Sequence, residues 1–95
     1  MTEDTAKGLG VDAYEIQAWI VRLGSYPKER VKHVDFSEAY EMNVAHLFRL
    51  ESGQYALVTE QGCSCYEPDG ADVDLYPTRI LGEAAFDKWC SEHKR

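Results

Sequence analysis

Ninety-five residues leave room for one domain and not for two, since domains cluster at roughly 100–150 residues. Seventeen acidic residues against ten basic ones give a net charge of −7, which disfavours phosphate backbones and anionic bilayers as partners unless the bases cluster. Hydrophobic residues at 44% and aromatics at 12% are too many for a disordered chain, and no apolar run approaches the roughly 20 residues that span a bilayer.

Met1 to Gly10 is polar and glycine-flanked, and is expected to be a flexible leader ahead of a single α+β domain over residues 11–95. Asp12 is placed to cap a helix that runs to Leu23, with Gly24 as its stop and Pro27 beyond. Two apolar stripes compete on that helix: Val11, Tyr14, Ala18 and Val21, and Ile16, Trp19 or Ile20, and Leu23. Ile16, Ala18 and Ile20 also alternate, so a strand stays open as the second reading, although the caps favour helix.

Glu29 to Phe36 reads as a strand and Ser37 to Met42 as a connection. Val44 to Leu50 and Gln54 to Thr59 form the clearest element, a β-hairpin closed by Glu51-Ser52-Gly53, where glycine supplies the positive φ of a tight turn. Along its second strand Tyr55, Leu57 and Thr59 share one face, and Ala56 and Val58 the other. A loop over Gly62 to Ala71 leads into Asp72 to Tyr76, a strand with Val73 and Leu75 on one side and Asp72, Asp74 and Tyr76 on the other. Pro77-Thr78 opens the last helix, whose stripe is Leu81, Ala85 and Trp89, widened by Phe86 and Cys90. Gly82 is expected to weaken it by up to ~1 kcal/mol. Short connections imply an antiparallel sheet of about four strands, with the N-terminal and C-terminal helices expected together on one of its faces.

Chemistry-bearing groupings are sparse. The single basic cluster, Lys28, Arg30 and Lys32, is short, so nucleic acid is disfavoured as a partner. Cys63-Ser64-Cys65 is a weak metal candidate: structural zinc prefers two or more residues between paired cysteines, and Cys90 sits on an apolar stripe where cysteine acts as a small hydrophobe. His33, His46 and His93 are scattered, and His46 in a hairpin strand reads as structural. No serine lies in a Gly-x-Ser-x-Gly elbow. No catalytic residue and no cofactor is therefore assigned. What stands out is acidity: from Ser52 to Thr78 there are acids but no bases, Glu60 among them. The candidate partner-binding residues are Tyr66, Glu67, Asp69, Asp72, Asp74 and Tyr76, an acidic surface flanked by tyrosines. An odd number of cysteines, three, and an opening segment without an apolar h-region suit a reducing cytoplasm.

From Asp35 to Cys90 the chain resembles a family of small proteins from phages of actinobacteria. The shared features are the hairpin turn at Ser52-Gly53, a Gly-Cys-x-Cys-Tyr loop at Gly62 to Tyr66, an acidic strand ending in Pro-Thr at Asp72 to Thr78, and a helix with Phe86 and Trp89. No assigned activity comes with the resemblance. It implies a setting, the cytoplasm of a bacterial host, and with it a non-enzymatic accessory protein that binds a host protein. The alternatives are a self-assembling or structural phage protein, as a homodimer or larger, and a small metal-binding protein or enzyme.

Overall fold

The computed structural model describes residues 3–62 and 70–94. The elements in chain order are α1 (Glu3–Gly8), α2 (Ala13–Leu23), β1 (Pro27–Asp35), β2 (Met42–Leu50), β3 (Tyr55–Gly62), β4 (Asp72–Tyr76) and α3 (Arg79–His93). The strands make one antiparallel sheet in the order β1-β2-β3-β4. Each strand thus pairs with its sequence neighbour, and β1 and β4 are the two edges. This is the α+β fold read from the sequence. No helix among the described residues is long and apolar enough to cross a membrane.

The β2–β3 hairpin organises everything else. Gly53 takes φ 91°, and the register runs without a break from Arg49↔Tyr55 to Met42↔Gly62. Both faces of this hairpin are apolar. Phe48, Leu50, Ala56 and Val58 point to one side, and Ala45, Leu47 and Leu57 to the other. A sheet apolar on both faces needs a cover on each. The two long helices accordingly lie on opposite faces: α2 packs on the first set and α3 on the second. The expectation that they share one face is corrected by this alternation. Burying each of Leu23, Leu47 and Leu50 completely contributes about 1.5–3 kcal/mol.

Local signals explain α2. Gly24 adopts a left-handed φ of 80° and its N–H donates to the Ile20 carbonyl, ending the helix where expected. Ile16, Trp19 and Leu23 are fully buried, whereas Tyr14 is 65% and Val21 89% exposed. The stripe through Trp19 faces the sheet; of the other, Val11 and Ala18 reach the same cluster, while Tyr14 and Val21 face solvent. Met1 to Gly10, expected as a flexible leader, instead holds α1 and buries Ala6 and Leu9. A six-residue helix is too short to persist alone, so its stability comes from those two side chains entering the core beside Val11.

On the opposite face, α3 starts at Thr78, whose Oγ1 accepts the Leu81 N–H at 3.3 Å. Its buried stripe is Gly82, Phe86 and Trp89; Leu81, read as part of the stripe, is half exposed. At Gly82 the helix lies close against the sheet. A Cβ there would meet Leu47 Cδ1 and Tyr55 Cβ at 3.1 Å each. The residue that weakens the isolated helix is what lets it sit down on β2 and β3.

Candidate functional site

β4 carries the acidic candidates at one edge of the sheet. Its register against β3 runs from Tyr55↔Tyr76 to Thr59↔Asp72 without a bulge, so alternate residues face opposite sides. Asp72 and Asp74 are exposed on the α3 side of the sheet, with Tyr76 half-buried beside the cluster under α3. Val73 packs against the α2-side core, and Leu75 is 41% exposed. Burial raises the Tyr76 hydroxyl pKa, and the neighbouring Asp74 charge adds to that. The phenol therefore stays protonated and able to donate a hydrogen bond. Tyr66, Glu67 and Asp69, and the weak metal candidates Cys63 and Cys65, lie outside the described residues.

The distribution of bases sharpens the acidity of this edge. Lys32 bridges to Asp87 at 3.1 Å and Glu83 at 3.9 Å, Arg49 to Glu29 at 2.9 Å, and Arg79 to Glu83 at 2.6 Å. Arg30 donates to the Gly10 carbonyl at 3.2 Å, and Arg22 to the Ala71 carbonyl. Among the described residues, neither Asp72 nor Asp74 is in an ion pair. The Lys28, Arg30 and Lys32 cluster is also taken apart by the fold. Arg30 reaches towards α1 on one face, and Lys32 towards α3 on the other. No continuous basic patch for a phosphate backbone forms from it.

A second constellation went unread in the sequence. His46 on β2 and Glu60 on β3 are both buried on the α2 side, with His46 Nε2 3.4 Å from Glu60 Oε2. His46 Nδ1 is buried and has no hydrogen-bond partner among the described residues. The ring is sandwiched among aromatics: Trp19 at 5.7 Å, Phe48 at 5.4 Å and the stacked His33 of β1 at 5.0 Å. Glu15, in the first turn of α2, joins from above. It accepts the Asp12 N–H at 3.3 Å.

The environment shifts these groups in opposite senses. Burial raises the Glu15 carboxyl above its ordinary 4.5; the Asp12 N–H opposes this, and the Glu60 charge reinforces it. Burial lowers the His33 imidazole below 6.5, helped by Arg30 and then His46. Two hydrogen bonds from Ser37 hold Asp35 below its ordinary value. Burial also raises the Cys90 thiol, which keeps it protonated and unreactive.

No three or more His, Cys, Asp or Glu side chains among the described residues are arranged to hold a metal ion. Two surface depressions of about 320 and 310 Å3 lie beside Lys7 and Tyr14 and beside Asn43 and Gln61. Neither is lined by His46 or by β4. Set against protein families, curated proteins and solved structures, the chain matches none.

Proposed function

We propose that this protein is a non-enzymatic binding module that docks a basic protein surface on its acidic edge strand, around Asp72, Asp74 and Tyr76. The supporting observation is that β4 is an unbulged sheet edge whose two exposed carboxylates form no ion pair among the described residues. Charges so placed keep an edge from pairing at random and steer a complementary partner. The resemblance to actinobacteriophage proteins gives the setting: a phage accessory protein in the host cytoplasm, with a host protein as partner.

A second copy is the weaker occupant. Two β4 strands paired about a two-fold axis at Val73 would set Asp72 against Asp74 on both sides, and like charges directly opposite destabilise a sheet.

The test is capture from an actinobacterial lysate with three forms of the chain. One is native, one carries Asp72→Lys with Asp74→Lys, and one carries Glu51→Lys with Glu92→Lys, an equal charge change at exposed sites elsewhere. A protein held by the native and control forms and lost from the β4 form supports the reading. Equal capture by all three removes β4 as the docking surface.

A further inference from the structure

β4 ends the sheet. Among the described residues no strand pairs with its outer side, and no backbone hydrogen bond outside the helices and ladders ends on Asp72–Tyr76. In an antiparallel ladder a residue turns both its N–H and its C=O to the same neighbour, and successive residues alternate. The residues of β4 that do not bond β3 therefore present donors and acceptors to the outside. Such an edge is a template for another strand. Its limits are marked at both ends. The Ala71 carbonyl is already taken by Arg22, and Pro77 has no N–H to donate.

The side chains select what pairs there. On the α3 side stand Asp72 and Asp74, both exposed, with Tyr76 half-buried beyond them. On the α2 side Val73 is partly buried and Leu75 is 41% exposed. The edge thus alternates between an acidic face and an apolar one. Opposite charges directly across a ladder stabilise it, and like charges destabilise it. A strand with bases at alternate positions is admitted, and one with acids there is turned away. A second copy supplies no such strand. Its β4 sets Asp72 against Asp74. Its β1 carries Arg30 and Lys32 around a register shift and reaching to opposite faces, so the pair cannot meet both aspartates on one face.

We infer that β4 takes up an extended basic segment of the partner protein as an added strand, with lysine or arginine opposite Asp72 and Asp74 and apolar residues opposite Val73 and Leu75. Such pairing rests on β4 being the docking edge, and it fixes the form of the ligand: a backbone in ladder register as well as a positive charge.

The probe is a capped peptide of about six residues in which lysine and valine alternate. It is made in two further forms, one N-methylated at every valine amide and one at every lysine amide. These carry the same charge and differ only in which row of N–H groups is blocked. An added strand bonds β4 through one row alone. One methylated form should therefore bind the native chain about tenfold more weakly than the other. With the unmethylated peptide, amide exchange should slow over Asp72–Tyr76 and not over Pro27–Asp35. The form with Asp72→Lys and Asp74→Lys should lose the peptide. Equal affinity of the two methylated forms, with β4 still protected, overturns strand addition and leaves β4 as the docking edge. A peptide that does not bind overturns strand addition alone. Protection over β1 instead, or equal binding to the charge-reversed form, overturns both.

Discussion

The two edges of the sheet are built by opposite rules. β1 is long, basic and closed on itself. It shifts register between Pro27 and Glu29 and again between Arg30 and Lys32, and such bulges twist an edge away from new partners. Most of its charged side chains are engaged, Glu29 with Arg49, Arg30 with Gly10, and Lys32 with Glu83 and Asp87, while Lys28 is exposed. β4 is short, acidic and regular, and Asp72 and Asp74 are left to solvent. One edge ties most of its charges to the rest of the molecule while the other presents them outward. That difference is the physical ground for placing the docking surface on β4. The edges are also tied to different helices, β1 to α3 through Lys32 and the approach to β4 to α2 through Arg22 and Ala71.

Breaking the shared foundation should have the largest effect. Gly82→Val puts a branched side chain where a single Cβ already meets Leu47 and Tyr55 at 3.1 Å. Overpacking of this kind costs about 1–3 kcal/mol, and urea denaturation should show a lowered midpoint with an unchanged slope. Separating the edges is a finer test. Arg22→Ala removes the donor to the Ala71 carbonyl, a loss of about 1 kcal/mol, and should speed amide exchange at the start of β4 while leaving β1 as it was. Lys32→Ala should do the reverse, and less strongly. Its ion pairs are partly exposed, and such pairs contribute under ~1 kcal/mol. The smallest effect is expected at the β1–β2 turn, where Ala39 sits at φ 49° between the paired Glu38 and Glu41. Ala39→Gly relieves that left-handed backbone and should raise stability by up to ~1 kcal/mol, read as an upward shift in thermal midpoint.

What could be read beforehand follows from how local each signal is. The hairpin at Ser52-Gly53 and the caps at Asp12, Gly24 and Thr78 are set by neighbours in sequence, and the structure keeps them. Ala85, Phe86, Trp89 and Cys90 pack on the sheet as read; only Leu81 was misassigned to the stripe, because it outweighs Gly82 on any scale of hydrophobicity, whereas the contact with Leu47 and Tyr55 selects for small size. The placement of the helices required knowing that both hairpin faces are apolar. The alternation of Ala56 and Val58 against Tyr55 and Leu57 already contained that information.

The buried cluster was visible in the same way. Two residues beyond Val58, the alternation puts Glu60 on an apolar face, although in sequence it counts as one more surface acid. Glu15 was hidden differently, since the Glu60 charge that acts on it lies 45 positions away and its influence depends on which stripe of α2 turns inward. Asp72, Asp74 and Tyr76 were placed on one side by alternation alone, and β4 bears that out.

The most direct measurement of the docking edge is an amide-exchange footprint of the chain bound to a protein it captures from the actinobacterial lysate. Slowed exchange over Asp72–Tyr76, with Pro27–Asp35 unchanged, is the expected result. Slowed exchange over β1 with β4 untouched would contradict the acidic edge as the binding surface.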